Sequence, residues 1–304
     1  MKEAEAFSPC HITGFFQILD KPDDPLQVGS RGAGVSLSHG VTTDVKIKEN
    51  AKNSVEVKIN GVTSTSANVS KRVINALLSK LKQNKKLMIS VQHHVNAPIG
   101  AGFGTSGAAA LSLALALNEA LNLNLSKIEA AQVAHIAEIK CKTGLGTVIA
   151  ETFGGLEIRT KPGAPGVGKI KSLQLPENMA VCCVVFGSLS TKKLLSDTET
   201  RERVNDIGGI LLDKLIKKPD LPSFLKFSRQ FAEHVGLISK RVRKVLDATD
   251  HAGFVCSMPM FGESVFTLVE RESLEELVEI LGKAGTNRQI ITSNIDFEGA
   301  RMLK

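Results

Sequence analysis

The amino-acid sequence predicts an α+β chain folded into two lobes, and three observations carry that prediction. A length of 304 residues suffices for one large domain, or for two lobes with a sizeable buried core. Strand-like and helix-like segments mix along the chain without the regular βαβ alternation of a doubly wound sheet. A glycine-proline turn inside "RTKPGAPG" (159–166) is the best boundary, placing the lobes at 1–165 and 166–304.

The elements follow in order. "KLMISVQHHV" (86–95) reads as a strand running into "PIGAGFGTSGAAA" (98–110), a turn with glycines at 100, 102 and 104. Residues 105–121 are apolar almost all round, which predicts a buried helix. "SKIE" from Ser126 predicts a capping box in which Glu129 reaches back, opening a helix to about Lys142. "TGLGTVIAE" (143–151) opens a further turn or short helix, and "GGLEIRTKPGAPGVGKI" (154–170) reads as strand, turn, strand. "MAVCCVVFG" (179–187) predicts a buried strand, and 197–247 is mostly amphipathic helix. A strand at 263–269, a helix at 273–282 and a strand at 288–295 complete the chain.

Composition narrows the function. Hydrophobic residues make up 42% and charged residues 23%, as in ordinary globular proteins. With no Trp and no Tyr, Phe and aliphatic residues must build the core, and an aromatic platform for single-stranded nucleic acid is disfavoured. The net charge of +7 suits an anionic ligand. Its densest cluster, "KRVRK" (240–244), reads as a solvated helix face, because no nucleic-acid recognition motif accompanies it. Five cysteines without metal-ligand spacing, no signal peptide and no apolar run of membrane length predict a cytoplasmic protein.

Three readings compete for the glycine loop. "GFGTSG" (102–107) matches the dinucleotide fingerprint literally, but no strand and no ribose-binding acid follow the helix. "GAPGVGKI" (163–170) misses the Walker pattern, with Ile170 where a magnesium-binding hydroxyl belongs. The third reading is a phosphate cradle: Gly100, Gly102 and Gly104 permit close backbone approach, and the helix N-terminus presents N–H groups. Thr105 and Ser106 add hydroxyls, although Thr-Ser before a helix also reads as plain capping.

"PIGAGFGTSGAAA" resembles the phosphate-binding motif of the GHMP kinases (galactokinase, homoserine kinase, mevalonate kinase and relatives), written P-x-G-x-G-L-G-S-S-A-A. Phe103 replaces the usual Leu, and Thr105 and Gly107 replace Ser and Ala. "SPCHITGFF" (8–16) sits at the family's N-terminal substrate motif. "CSMPMFGESVFTL" (256–268) sits at its C-terminal motif, with Gly262 as its one glycine. "DPLQVGSRGAGVSL" (24–37), "AHIAE" (134–138), "TGLGTV" (143–148) and "RTKPGAPG" extend the resemblance over nearly the whole chain, toward the archaeal pantoate kinase branch.

That resemblance implies a ribosomal protein S5 domain 2-like N-terminal lobe, a ferredoxin-like C-terminal lobe and a site in the cleft between them. It implies ATP-dependent phosphorylation of pantoate on the archaeal route to coenzyme A. Its alternatives are a kinase for another hydroxy acid and a catalytically impaired nucleotide-binding relative. ATP and magnesium are the implied cofactors; nucleic acid and membrane are not expected partners, and a homodimer stays open. Pro98, Gly100, Gly102, Gly104, Thr105 and Ser106 would cradle phosphate, and Ser106 with Glu138 would hold magnesium.

Glu138 reads alternatively as a helix-pair partner of Lys142. His135, three residues before it, reads by itself as a satisfied core residue of an apolar helix, but its shared face with Glu138 and the resemblance make it a candidate substrate contact. Ser30 and Arg159 are candidates for holding the pantoate carboxylate, whereas Arg31 reads equally as a surface charge. His11 sits where many GHMP kinases carry lysine, and reads either as a site residue or as strand packing. Thr147 occupies the place of the family's candidate base, an Asp, and threonine cannot serve as a base at neutral pH. Glu151, one turn on, is a replacement or a structural residue.

Overall fold

A computed structural model describes residues 2–81, 86–284 and 288–303. Two long antiparallel strands, β1 (Lys2–Leu19) and β2 (Gly29–Glu49), form the spine of the first sheet. Both are buried on two faces over much of their length, and register shifts occur at Pro9/Cys10 and Thr13/Phe15. The alternation that would reveal a half-exposed strand is therefore blurred. β3 (Ser54–Ile59) and β4 (Val62–Thr63) form a hairpin, and α1 (Asn68–Leu78) then crosses to β5 (Leu87–Val95), which runs parallel to β3.

β5 pairs with the C-terminal half of β2, from Val41↔Val95 to Glu49↔Leu87. α2 (Thr105–Leu121), α3 (Lys127–Cys141) and α4 (Thr147–Phe153) follow. α2 is buried through its Ala and Leu residues and stops where Asn122 turns left-handed. The predicted capping box is present: Ser126 accepts from Glu129 N–H, and the Glu129 carboxylate accepts from Ser126 N–H. β6 (Leu156–Lys161) pairs with the N-terminal half of β2 and with β7 (Lys169–Ser172). The glycine-proline turn thus joins two strands of one sheet. The passage to the second sheet comes only after Ser172, not at 165, because β7 is hydrogen-bonded to β6.

The second sheet is built from β8 (Met179–Ser188), four helices and a return strand. The helices are α5 (Thr191–Ser196), α6 (Thr198–Lys217), α7 (Leu221–Val235) and α8 (Lys240–His251). β9 (Gly262–Glu270), α9 (Leu274–Lys283) and β10 (Ile290–Ser293) complete it, in the order β10-β8-β9. A single bridge between Ser257 and Phe266 adds a minimal fourth strand beside β9, which gives the antiparallel 4-1-3-2 order expected of a ferredoxin-like lobe. β11 (Arg301–Met302) then returns to the first sheet beside β1.

One core joins the two sheets. Phe15 of β1 lies 6.3 Å from Phe224 of α7, whose ring lies 6.2 Å from Phe266 of β9. Phe thus does here the work that Trp and Tyr share in other cores, each buried ring contributing roughly 1.5–3 kcal/mol. Because this core ties the sheets together, loops from both can meet in one cleft. No helix among the described residues is long and apolar enough to cross a membrane.

Candidate active site

The glycine loop leaves β5 and turns into α2. Gly104 is the N-cap of α2, with φ +64°, and no side chain caps the helix. Thr105 and Ser106 already lie inside it, so the plain-capping reading of Thr-Ser fails. α3, α6, α7 and α8 each have a Ser or Asp capping side chain. α2, like the shorter α1 and α9, leaves its first N–H groups without one, and at α2 those groups open onto a cavity, which is the condition for receiving an anion.

The loop is pinned from three directions. Leu189 N–H donates to Gly100 O at 3.1 Å, and His11 N–H to Phe103 O at 3.0 Å. The Ser264 hydroxyl donates to Ala101 O at 2.9 Å. Gly262 explains the one glycine of the C-terminal segment: a Cβ there would stand 1.9 Å from Ala101 O. The second sheet therefore rests directly on the loop of the first.

Two cavities meet at the start of α2. One, of about 320 Å³, lies between the glycine loop, the 143–147 turn and β1. The other, of about 690 Å³, lies against α1 and the end of α3. Ile99, Thr105, Ser106 and Thr143 line both, so the helix N-terminus sits at their junction. Pro98 introduces the loop but lines neither cavity.

Glu138 faces the smaller cavity and is 2% exposed. One carboxylate oxygen accepts from Ser106 Oγ and Thr143 Oγ1, each at 2.6 Å. These hydroxyls, rather than Lys142, are its partners. Burial raises its pKa, and the two hydroxyl bonds oppose that rise. A buried carboxylate flanked by hydroxyl oxygens, with no cationic side chain paired to it, matches what a hard divalent cation takes from a protein.

Thr147 opens α4 and lines the same cavity. Glu151, on the next turn, does not line it: the residue is fully buried beneath the loop, and both its carboxylate oxygens lack hydrogen-bond partners. A Cβ on Gly107 would come within 2.7 Å of one of these oxygens, so glycine in place of the family's alanine makes room for Glu151. Burial first, then repulsion by Glu138, holds its pKa well above the ordinary range. The unfolded chain releases that proton in the usual glutamate range while the folded chain keeps it, so this group makes stability fall as pH rises above that range. Glu151→Gln should remove the dependence, raising Tm at pH 8 by about 2–4 °C while leaving it nearly unchanged at pH 4.5. Thermal unfolding at the two pH values decides it, and an equal shift at both would refute the titration.

The opposite wall holds the acceptor-side candidates. Ser30 is buried and lines the smaller cavity. A Cβ on Gly146 would lie 2.1 Å from Ser30 Oγ and 3.2 Å from Arg159 Nε, which places Arg159 behind Ser30 and under the 143–147 turn. Arg159 was expected to reach the cleft; it is 1% exposed and does not line the cavity. Its Nη1 donates to Glu157 Oε1 at 2.5 Å, and its Nε has no partner. Glu157 and Arg159 are two apart on β6 and so share a face. His11 lines the cavity and its Nε2 donates to the same Glu157 oxygen at 3.0 Å, which goes beyond plain strand packing. Glu157 was missed in the sequence, where the only signal was an acid two residues before Arg159 inside a strand.

Two further candidates, like Pro98 and Arg159, do not line the smaller cavity. Arg31 follows Ser30 on β2 and therefore points the other way, pairing with Asp213 at 2.7 Å and with Thr160 O at 3.1 Å. His135 shares burial with Glu138 but not its cavity: its Nε2 donates to Val28 O at 3.0 Å and Pro25 O at 3.2 Å, fastening the segment before β2 to α3. In this geometry its Nε2 serves as a tether.

Known proteins share this architecture. Residues 68–155 match the family model described as GHMP kinases N terminal domain. The chain is 34% identical over 281 residues to a pantoate kinase of Methanocaldococcus jannaschii, covering 90% of this chain and 96% of that protein. It is 35% identical over 280 residues to a pantoate kinase of Thermococcus kodakarensis, covering 91% of each. A solved structure described as a phosphotransferase related to the CoA biosynthesis pathway superposes with a TM-score of 0.89 at 31% identity, covering 99% of this chain and 98% of that one.

Proposed function

The chain belongs to the GHMP kinases, and from that premise we propose that it transfers the γ-phosphoryl group of ATP to a hydroxyl of pantoate, giving 4-phosphopantoate for coenzyme A synthesis. The observation that carries the reading is the uncapped N-terminus of α2 at the junction of two cavities. The larger cavity would take the nucleoside, the helix N-terminus the phosphates, and the smaller cavity the acceptor. In phosphoryl transfer the protein contributes chiefly positioning and charge.

Ser106 and Glu138 would hold magnesium, which when bound supplies positive charge against the phosphate oxygens. The N–H groups at the start of α2 orient the phosphates on the other side. Ser30 would donate to the pantoate carboxylate, with the unpartnered Arg159 Nε behind it adding charge. Thr147 offers a hydroxyl near the reacting groups and no base.

The test is ADP release measured against a panel of hydroxy acids including pantoate. Pantoate should be the preferred acceptor; ATP binding with no turnover of any acid would select a non-catalytic nucleotide binder. Arg159→Met should raise the KM for pantoate about 10-fold, the scale of withdrawing a buried positive charge from behind Ser30, with ATP affinity unchanged. Arg31→Ala, which breaks a surface pair, serves as the control and should leave KM within about threefold. An unchanged KM in a folded Arg159→Met protein removes this arginine from acceptor binding.

A further inference from the structure

We propose that Glu157, His11 and Thr13 form a proton relay that receives the proton of the accepting hydroxyl. The inference rests on the kinase reading above and supplies the acceptor for a proton that Thr147 cannot take. Glu157 Oε1 lies 3.0 Å from His11 Nε2, and His11 Nδ1 lies 3.3 Å from Thr13 Oγ1. His11 and Glu157 have fully buried side chains, whereas Thr13 is half-buried, and both His11 and Thr13 line the smaller cavity. The chain of contacts therefore runs from the protein interior to the place assigned to the acceptor.

The direction of each bond follows from its partners. Arg159 can only donate, and it donates to the same Glu157 oxygen that faces His11, so that oxygen is an acceptor. His11 Nε2 must then carry the hydrogen. Nδ1 is left as a lone pair, and the Thr13 hydroxyl donates to it. The charged groups around His11 are Glu157 and Arg159, both from β6. Burial lowers the His11 pKa, Glu157 opposes that shift and Arg159 adds to it, so the ring enters the reaction neutral.

As the acceptor oxygen bonds to the γ-phosphorus, its proton passes to Thr13 Oγ1 and the Thr13 proton passes to His11 Nδ1. The bond from the γ-phosphorus to ADP breaks, and ADP keeps the electron pair. His11 becomes an imidazolium facing Glu157 and gives its proton to water after the product leaves. Thr13 is the catalytic residue of the relay; His11 and Glu157 act through it.

The experiment compares kcat against pH for the wild type, Thr13→Val, Thr13→Ser and His11→Gln, with ATP affinity measured for each and unfolding curves as the folding check. Thr13→Val should lower kcat at least about 100-fold at unchanged ATP affinity, and Thr13→Ser should restore it to within about threefold. The wild type should lose activity on the acid side with a one-proton dependence that His11→Gln and Thr13→Val lack. Nitrogen NMR of the wild type, which needs no variant to fold, should show His11 protonated on Nε2 and bare on Nδ1. An active wild type with an insensitive Thr13→Val, or a His11 protonated on Nδ1, overturns the relay and leaves the kinase reading standing. A wild type that phosphorylates no hydroxy acid overturns both.

Discussion

A valine at position 104 should remove measurable ATP binding from a chain that still folds. Gly104 holds φ at +64°, where a β-branched residue is strained by roughly 1–2 kcal/mol or more. Its Cβ would also stand 2.6 Å from Thr147 Cγ2, 2.7 Å from Glu151 Oε1 and 3.2 Å from His11 O. The loop can relieve these contacts only by moving away from α4 and β1, which turns the first N–H groups of α2 from their direction. An anion loses several charge-assisted bonds at once, and Kd should rise at least about 100-fold. Gly253→Val supplies the control, because Gly253 has φ +85° and nothing within 4 Å of its Cβ position. It carries the backbone strain without the loop. Calorimetric titration with ATP and a thermal melt separate the two effects, and normal affinity in a folded Gly104→Val protein would place the phosphates elsewhere.

Glu138→Gln should produce the second large loss, in turnover instead of binding. A glutamine carbonyl can still accept from Ser106 and Thr143, so the hydrogen-bonded frame survives while the negative charge disappears. Burying that carboxylate works against folding, as the upward shift of its pKa indicates. The melting temperature should therefore stay level or rise while kcat falls at least about 100-fold and the magnesium requirement increases. A structural carboxylate would behave the opposite way. Should stability drop and magnesium dependence stay unchanged, Glu138 holds α2 to α3 and no cation.

The site was legible in the sequence wherever the signal was local. The glycine spacing at 100–104, the buried helix at 105–121 and the capping box at Ser126 all depend on residues within a few positions of one another. Backbone torsion and side-chain reach act at that range, so the sequence displays them directly. Even the departures from the family pattern were visible, with Thr147 and Gly107 standing out against the expected residues. The two longest strands were not, because burial on both faces and two register shifts erase the period of two that exposes a strand.

By itself, then, the sequence determined the glycine loop, the helices around it, the hairpin at 156–172 and the family to which they belong. Only the tertiary structure decided which face each candidate occupies. Ser30 and Arg31 are neighbours in the chain, yet strand geometry sends one to the cavity and the other to Asp213. His135 and Glu138 share a helix, yet one ties down a loop and the other lines the cavity. Glu157 meets His11 across 146 positions, and Gly262 meets Ala101 from a different sheet. Such contacts are set by strand register and by how two sheets share one core, quantities that sum over the whole chain and leave no mark in any short stretch of it.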